Sequence, residues 1–271
     1  MLELMRVSEA KIQLSKPQKI GYFTDLHFRQ NVPGTSACPE RVSRKMANIL
    51  NQCIKRLKKN VDLIICTGDL VDDPDHPEVK KDLWILADLL DSIHIPTIII
   101  PGNHDIAPDI FYHIFRKPNK VMQIEDCEFI TFFEDICKEG KEASVRTDLS
   151  LRTMQDILNE NPSKMKHTFL IQHYLIYPEY NKGYPYSYQN ASLIRGIMEK
   201  SPRKIFSISG HYHHGFSTIQ HNGVNYFCGS AMCENPFPYY ILDTNADKIT
   251  IQRYDIGSCS DGSIIDTARG S

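Results

Sequence analysis

Ile98-Ile99-Ile100-Pro101-Gly102-Asn103-His104-Asp105 carries the pattern on which the fold of this chain turns. An apolar β-branched run reads as a buried strand. The glycine turn after it delivers an amide, an imidazole and a carboxylate to the strand's carboxyl end, where open α/β sheets build their binding sites. Working outward, the same arrangement recurs. Residues 19–24 form an apolar run that ends in Asp25-Leu26-His27, and residues 62–67 form one that ends in Gly68-Asp69. Downstream, residues 167–172 lead to His173, and residues 204–209 lead to Gly210-His211-Tyr212-His213-His214. D-x-H on an extended segment places both side chains on one face, within reach of one metal ion.

Amphipathic segments separate the first three runs. Over 40–60, Val42, Met46, Ile49, Leu50, Cys53, Ile54 and Leu57 fall on one helical stripe. Over 77–93, Leu83, Leu86, Ala87 and Leu90 do the same, with Pro77 near the first turn. Strand, helix, strand, helix, strand predicts a parallel sheet with right-handed crossovers. Beyond it we expect two strands within 121–133 broken at Glu125-Asp126, a helix over 149–158 stopped by Asn161-Pro162, and a helix over 191–200 capped by Asn190. Short runs at 216–220, 224–228, 239–243 and 249–254 predict an antiparallel meander. A short strand is expected at 11–14 and a frayed Ser-, Gly- and Asp-rich tail from Gly257. The organisation expected is one domain over 1–271, with a core at about 18–255 and a tail at 256–271.

Composition excludes several classes. The 271 residues are 41% hydrophobic and 24% charged, ordinary for a globular chain with its own core. A net charge of −2 offers no basic field for nucleic acid. The basic run Lys55-Arg56-Leu57-Lys58-Lys59 reads as a solvated helix end that complements the helix dipole. Eight cysteines form no CxxC pair, and no apolar stretch approaches membrane-spanning length. The expected setting is cytoplasmic, with free thiols. Residues 174–188 hold six tyrosines, Tyr174, Tyr177, Tyr180, Tyr184, Tyr186 and Tyr188, directly after His173. They read either as a substrate-side wall or as loop packing or a subunit contact.

Taken together, the five segments supply carboxylates, imidazoles and one amide carbonyl, a donor set suited to two first-row ions rather than to thiolate-bound structural zinc. The ordered set D-x-H, G-D, G-N-H-D, H, G-H-x-H resembles the calcineurin-like metallophosphoesterase superfamily over residues 20 to about 215. The resemblance implies an α/β fold, a four-layer αββα sandwich of two mixed β-sheets flanked by helices. It also implies a centre of two divalent or mixed-valence ions, manganese, iron or zinc. Asp25, His27 and His213 would hold one ion, Asn103, His173 and His211 the other, and Asp69 would bridge them. A water between the ions would lose its proton and attack phosphorus. His104 would stay off the metals, stabilising charge or protonating the leaving oxygen.

Gly68-Asp69-Leu70-Val71-Asp72 is similar to the protein Ser/Thr phosphatases, in which the second Asp orients the catalytic His, so Asp72 is the expected partner of His104. Asp73 stands where those phosphatases carry a phosphate-clamping Arg. The small cyclic-nucleotide phosphodiesterase-like branch is closer in length and in Pro101-Gly102-Asn103-His104-Asp105, although Gln172-His173-Tyr174 replaces its usual His-His-Pro. The expected function is hydrolysis of small-molecule phosphodiesters, such as cyclic nucleotides. Phosphomonoester or pyrophosphate hydrolysis on the same centre is the alternative, and a dead scaffold or a nuclease is less favoured. No membrane or nucleic-acid partner is expected, and a homo-oligomer is left open. His214 abuts the ligand pair and Asp105 reads as structural support. His76, His94, His113, His167 and His221 read as surface or structural.

Overall fold

The first three apolar runs have side chains buried on both faces, as a sheet covered on both sides demands. In the computed structural model, which describes residues 19–32, 38–133, 136–137, 144–160, 165–245, 248–257 and 267–270, they are β1 (Lys19–Phe23), β2 (Leu63–Cys66) and β3 (Thr97–Ile99). β1 pairs parallel with β2 and β2 parallel with β3. The crossovers are α1 (Met46–Leu57) and α2 (Val79–Asp91). A short helix, α3 (Pro108–Phe111), follows β3.

A second sheet begins with the antiparallel pair β4 (Val121–Ile124) and β5 (Cys127–Thr131), broken at Glu125-Asp126 as expected. After a small ribbon of β6 (Ile136–Cys137) and β7 (Ser144–Val145) come α4 (Asp148–Asn159), β8 (His167–Ile171), α5 (Ala191–Glu199) and β9 (Ile205–Ser209). β5, β8 and β9 are parallel neighbours. The predicted meander is corrected by the structure. β10 (Phe216–His221) and β11 (Val224–Cys228) form a hairpin whose second strand pairs parallel with β9. β12 (Pro238–Asp243) and β13 (Thr250–Asp255) form another, which crosses to the first sheet and pairs antiparallel with β1. The run of short strands is thus two hairpins in two sheets. β14 (Thr267–Gly270) adds to the outer edge of β13. The orders are β14-β13-β12-β1-β2-β3 and β10-β11-β9-β8-β5-β4.

Strand alternation builds the layers. Ile20, Tyr22, Leu63, Ile65 and Ile98 face Phe129, Phe169, Ile171, Phe206 and Phe227 across the middle of the sandwich. Phe23, Ile64, Cys66 and Ile99 face α1 and α2. Ile130, Leu170 and Ile205 pack under Met154, Leu158, Ile194 and Met198 of α4 and α5. Helices therefore flank two mixed sheets on their outer faces.

Two local expectations shift. α1 starts later than predicted, after a 3-10 turn over Ser43–Lys45. Arg41 bridges Glu234, and the Val42 N–H donates to the Cys233 carbonyl, so these residues are held out of the helix. Asn190 does not cap α5, because its side chain is used on the Arg146 main chain, accepting from N–H at 3.1 Å and donating to the carbonyl at 2.8 Å. The strand expected at 11–14, the stop at Asn161-Pro162 and most of the tail lie outside the described residues. Among the described residues no helix is long and apolar enough to cross a membrane.

Phe169 stacks on Phe129 at 5.0 Å in the central layer and is fully buried. Phe169→Ala should cost about 3–5 kcal/mol, from lost transfer energy and a residual cavity, read as a lower urea midpoint with an unchanged slope.

Candidate metal centre

The carboxyl ends of β1, β2, β3, β8 and β9 converge on one edge of the sandwich, and main-chain hydrogen bonds stitch the turns there together. The Asp25 N–H donates to the Gly68 carbonyl at 3.0 Å, His27 N–H to Asp69 at 2.9 Å, and Gly210 N–H to His173 at 2.9 Å. This packing forces unusual backbone. Asp25, His27, Asp69 and His211 have φ of 54°, 44°, 54° and 66°, the left-handed region that side chains rarely adopt. Each costs roughly 1–3 kcal/mol and persists only where the surroundings over-determine it. Gly68, at φ 104°, lies so close to the Pro101–Gly102 peptide that a Cβ would collide with it.

These turns assemble a buried cluster of donors. The His27 Nε2 lies 3.2 Å from His213 Nε2 and 3.5 Å from Asp69 Oδ2. Asp25 Oδ1 is 3.6 Å from His213 Nε2 and 4.0 Å from His27 Nε2. The same Asp69 oxygen also meets the second sheet: His173 Nε2 is 3.3 Å from Oδ2 and 3.0 Å from Asn103 Oδ1. The His173 and His211 rings are 4.9 Å apart. Donor atoms of His27, His213 and Cys233, of His27, Asp69 and His104, and of Asp69, His173 and His211 each fall within 4.8 Å of one another. Two nitrogens bound to one ion at about 2.1 Å stand about 3.0–3.4 Å apart, the spacing of His27 and His213. The residues therefore fit a pair of divalent ions.

Outer hydrogen bonds hold the rings in place. His173 Nδ1–H donates to the Thr67 carbonyl at 2.7 Å, and Glu234 Oε1 accepts from His213 Nδ1 at 2.6 Å. Both bonds turn Nε2 inward, as partners of metal-ligating imidazoles do. The Thr24 hydroxyl donates to Asp25 Oδ2 at 2.6 Å, and Thr67 and Tyr22 extend that hydroxyl chain.

Charge within the cluster is internally balanced. Burial pushes the His27 and His211 pKa values well below the usual imidazole range, so both present lone pairs. Burial also opposes charge on His173, but the Asp69 carboxylate outweighs it and lifts that ring to about 9. Burial disfavours ionised Asp69 too, yet His173 and His104 hold it well below the ordinary carboxylate range. Burial raises Asp25. Cations entering this cluster would replace ring protons as the partners of the two carboxylates.

The structure brings together Asp25, His27, Asp69, Asn103, His104, His173, His211 and His213. Asp72 does partner His104, but through its main chain rather than through the expected carboxylate. The His104 Nδ1–H donates to the main-chain carbonyl of Asp72 at 2.8 Å, not to the carboxylate. The Asp72 carboxylate instead takes Arg41 Nη1 at 2.8 Å and lies 3.8 Å from His27 Nδ1. Arg41 arrives from the segment before α1 and claims it first. Asp105 ties the turns after β2 and β3 together, accepting from Leu70 and Val71 N–H through Oδ1 and from Gly102 N–H through Oδ2. His214 is exposed and lies outside the cluster. Glu234, Arg41, Thr24 and Cys233 were not anticipated. Glu234 and Cys233 sit in a connection between strands with no motif around them, and only the three-dimensional return of the chain reveals them.

The calcineurin-like phosphoesterase family model matches residues 18–215, and the chain belongs to that family of metal-dependent phosphoester hydrolases, which use dinuclear centres. The crystal structure of a dimetal phosphatase from Danio rerio superposes with a TM-score of 0.73 at 12% identity, covering 94% of this chain and 99% of that one. A 5'-nucleotidase from Candida albicans gives 0.51 at 14% identity, over 88% of this chain and 51% of its own. In sequence, a protein of Arcobacter nitrofigilis named "Probable glycerophosphodiester phosphodiesterase GpdQ" is 28% identical over 123 residues. That match spans 43% of this chain and 44% of the relative.

Glu234→Ala should weaken manganese binding by about 10- to 100-fold, the usual effect of losing an outer partner of a ligating His. Titration calorimetry on the metal-stripped protein checks this, and unchanged affinity would show that the Glu234–His213 bond does not orient the ring.

Proposed function

We propose that this chain hydrolyses small-molecule phosphodiesters, cyclic nucleotides among them, on a dinuclear metal centre. Asp25, His27 and His213 would hold one ion, Asn103, His173 and His211 the other, and Asp69 both. Bound there, the ions supply Lewis acidity toward phosphoryl oxygens and the charge that activates water. One observation carries the reading. The His104 N–H donates to Asp69 Oδ1 at 2.8 Å, its ring stands 4.5 Å from His27, and Nδ1–H is spent on the Asp72 carbonyl. His104 is thus anchored through its main chain to the shared carboxylate and is half-buried, which leaves Nε2 as the ring nitrogen to serve a substrate. From there it stabilises charge on the phosphoryl group and gives a proton to the departing oxygen.

Charge supports a diester over a monoester. A monoester dianion calls for an added cationic clamp, but Asp73 stands where a clamping Arg would follow Asp72. The nearby guanidiniums are engaged: Arg41 Nη1 lies 2.8 Å from Asp72 Oδ1, and Arg29 Nη1 lies 3.7 Å from Asp73 Oδ2. The glycerophosphodiester phosphodiesterase relative points the same way.

The manganese-loaded protein should hydrolyse bis(p-nitrophenyl) phosphate faster than p-nitrophenyl phosphate. His104→Ala should lower kcat about 10²- to 10⁴-fold with two metal equivalents retained, and Asn103→Ala should lower occupancy of the second equivalent. Hydrolysis of neither ester, together with unchanged metal content in Asn103→Ala, would sink the proposal.

A further inference from the structure

The loop after His173 splits its tyrosines into two groups. Tyr174 and Tyr188 are 5% and 1% exposed and pack beneath α5; Tyr174 also lies 4.4 Å from the His211 ring, but it is too buried to meet a ligand face to face. Tyr177 stacks on His221 at 4.3 Å, away from the cluster. The remaining rings lie beside the metal-ligand loops but keep contact with solvent. Tyr184 lies 5.5 Å from the His211 ring and 4.7 Å from Tyr186. Tyr186 lies 4.9 Å from Tyr212, and Tyr212 lies 5.0 Å from Tyr180. Four phenols are thus linked by successive ring contacts that begin at His211. Tyr180 is 39% exposed, and Tyr184, Tyr186 and Tyr212 are half-buried.

Loop packing alone does not require this row. The loop is already pinned by its backbone: Leu175 N–H donates to the Tyr186 carbonyl at 3.1 Å, Tyr188 N–H to Leu175 at 3.0 Å, and Tyr186 N–H to Tyr180 at 3.1 Å. Ser187 adds its N–H to Asn181 Oδ1 at 3.1 Å, and its hydroxyl accepts from Tyr180 N–H at 2.9 Å. A pre-fixed loop that keeps phenol rings partly in water beside a buried polar cluster is suited to receive a flat ring at little ordering cost. Position separates this wall from the general-acid candidate. The tyrosines adjoin His211, whereas His104 adjoins His27. A substrate phosphoryl group over Asp69 would therefore have His104 toward one side and the aromatic row toward another.

We infer that Tyr180, Tyr184, Tyr186 and Tyr212 form a stacking wall that selects phosphodiesters bearing a nucleobase over those bearing only glycerol or a small alcohol. This rests on the phosphodiesterase reading above. Phenol faces accept any base by stacking, so selectivity is for the ring rather than for one base.

The test compares a nucleoside 3',5'-cyclic monophosphate with glycerophosphoethanolamine on the manganese-loaded protein. Wild type should favour the nucleotide in kcat/KM by at least about ten-fold. Tyr180→Leu and Tyr184→Leu should each reduce that ratio about ten-fold, mainly through KM, the size expected for one stacked ring. Tyr180→Phe and Tyr184→Phe should keep it within about two-fold of wild type, because the ring and not the hydroxyl does the selecting. Thermal melting of each variant establishes that it is folded. A wild-type preference for the glycerol ester, or Leu variants with an unchanged ratio, overturns the wall. If neither ester is hydrolysed, the phosphodiesterase reading fails on its own. The wall is then decided by calorimetry with adenosine 5'-monophosphate and glycerol 3-phosphate, where equal affinities overturn it.

Discussion

Everything at the site depends on how the Asp69 carboxylate is divided. One oxygen accepts the His104 N–H, and the other faces imidazoles from two different sheets, His27 beside the first strand and His173 beyond the eighth. A buried anion in that position is costly unless several cations or donors meet it. Two sheets must therefore arrive together with their polar ends aligned. Left-handed backbone at Asp25, His27, Asp69 and His211 records that cost. The aromatic and aliphatic layer between the sheets, centred on Phe129, Phe169, Phe206 and Phe227, supplies the burial that holds the strained edge in place.

Around this shared anion the chain arranges its remaining charges in outward pairs. Arg41 meets Asp72, Arg29 lies near Asp73, and Glu234 meets His213. Among the described residues Asp105 bonds main-chain donors alone, and burial together with Asp69 pushes its pKa up to about 7. Its job is to clasp the turn after the second strand to the turn after the third. A neutral amide at Asn103 and neutral rings at His27 and His211 keep the cluster from carrying more negative charge than two carboxylates bring.

Much of this was legible in the sequence, because strand ends announce themselves when an apolar run stops at glycine and a polar residue. The three parallel strands, their two crossover helices and the order of the donor residues follow from periodicity and residue type. Four features did not follow. The short strands after Gly215 share one local pattern, and nothing local says that β10–β11 and β12–β13 belong to different sheets. Asp72 was legible as a partner of His104, but which of its oxygens serves depends on Arg41 reaching the carboxylate first. Glu234 was invisible because its importance lies in a turn placed beside His213 by the crossing between the sheets. The helix cap at Asn190 failed for a related reason, since a long-range demand from Arg146 outweighed the local one.

The crossing of β12–β13 back to β1 has a consequence for synthesis on the ribosome. The segment that crosses, around Met232 and Cys233, donates main-chain N–H groups to the carbonyls of Thr24 and Asp25 at 2.9 and 3.0 Å. The first donor loop therefore waits for residues 232–233, far downstream, before its backbone is satisfied. The parallel strands β1–β3 can gather as soon as they leave the exit tunnel, but β1 keeps a bare edge until β12 arrives. A chain whose residues 232–243 are not yet made lacks that partner strand and the braces on the Thr24–Asp25 turn, and its open edge is a template for edge-to-edge association.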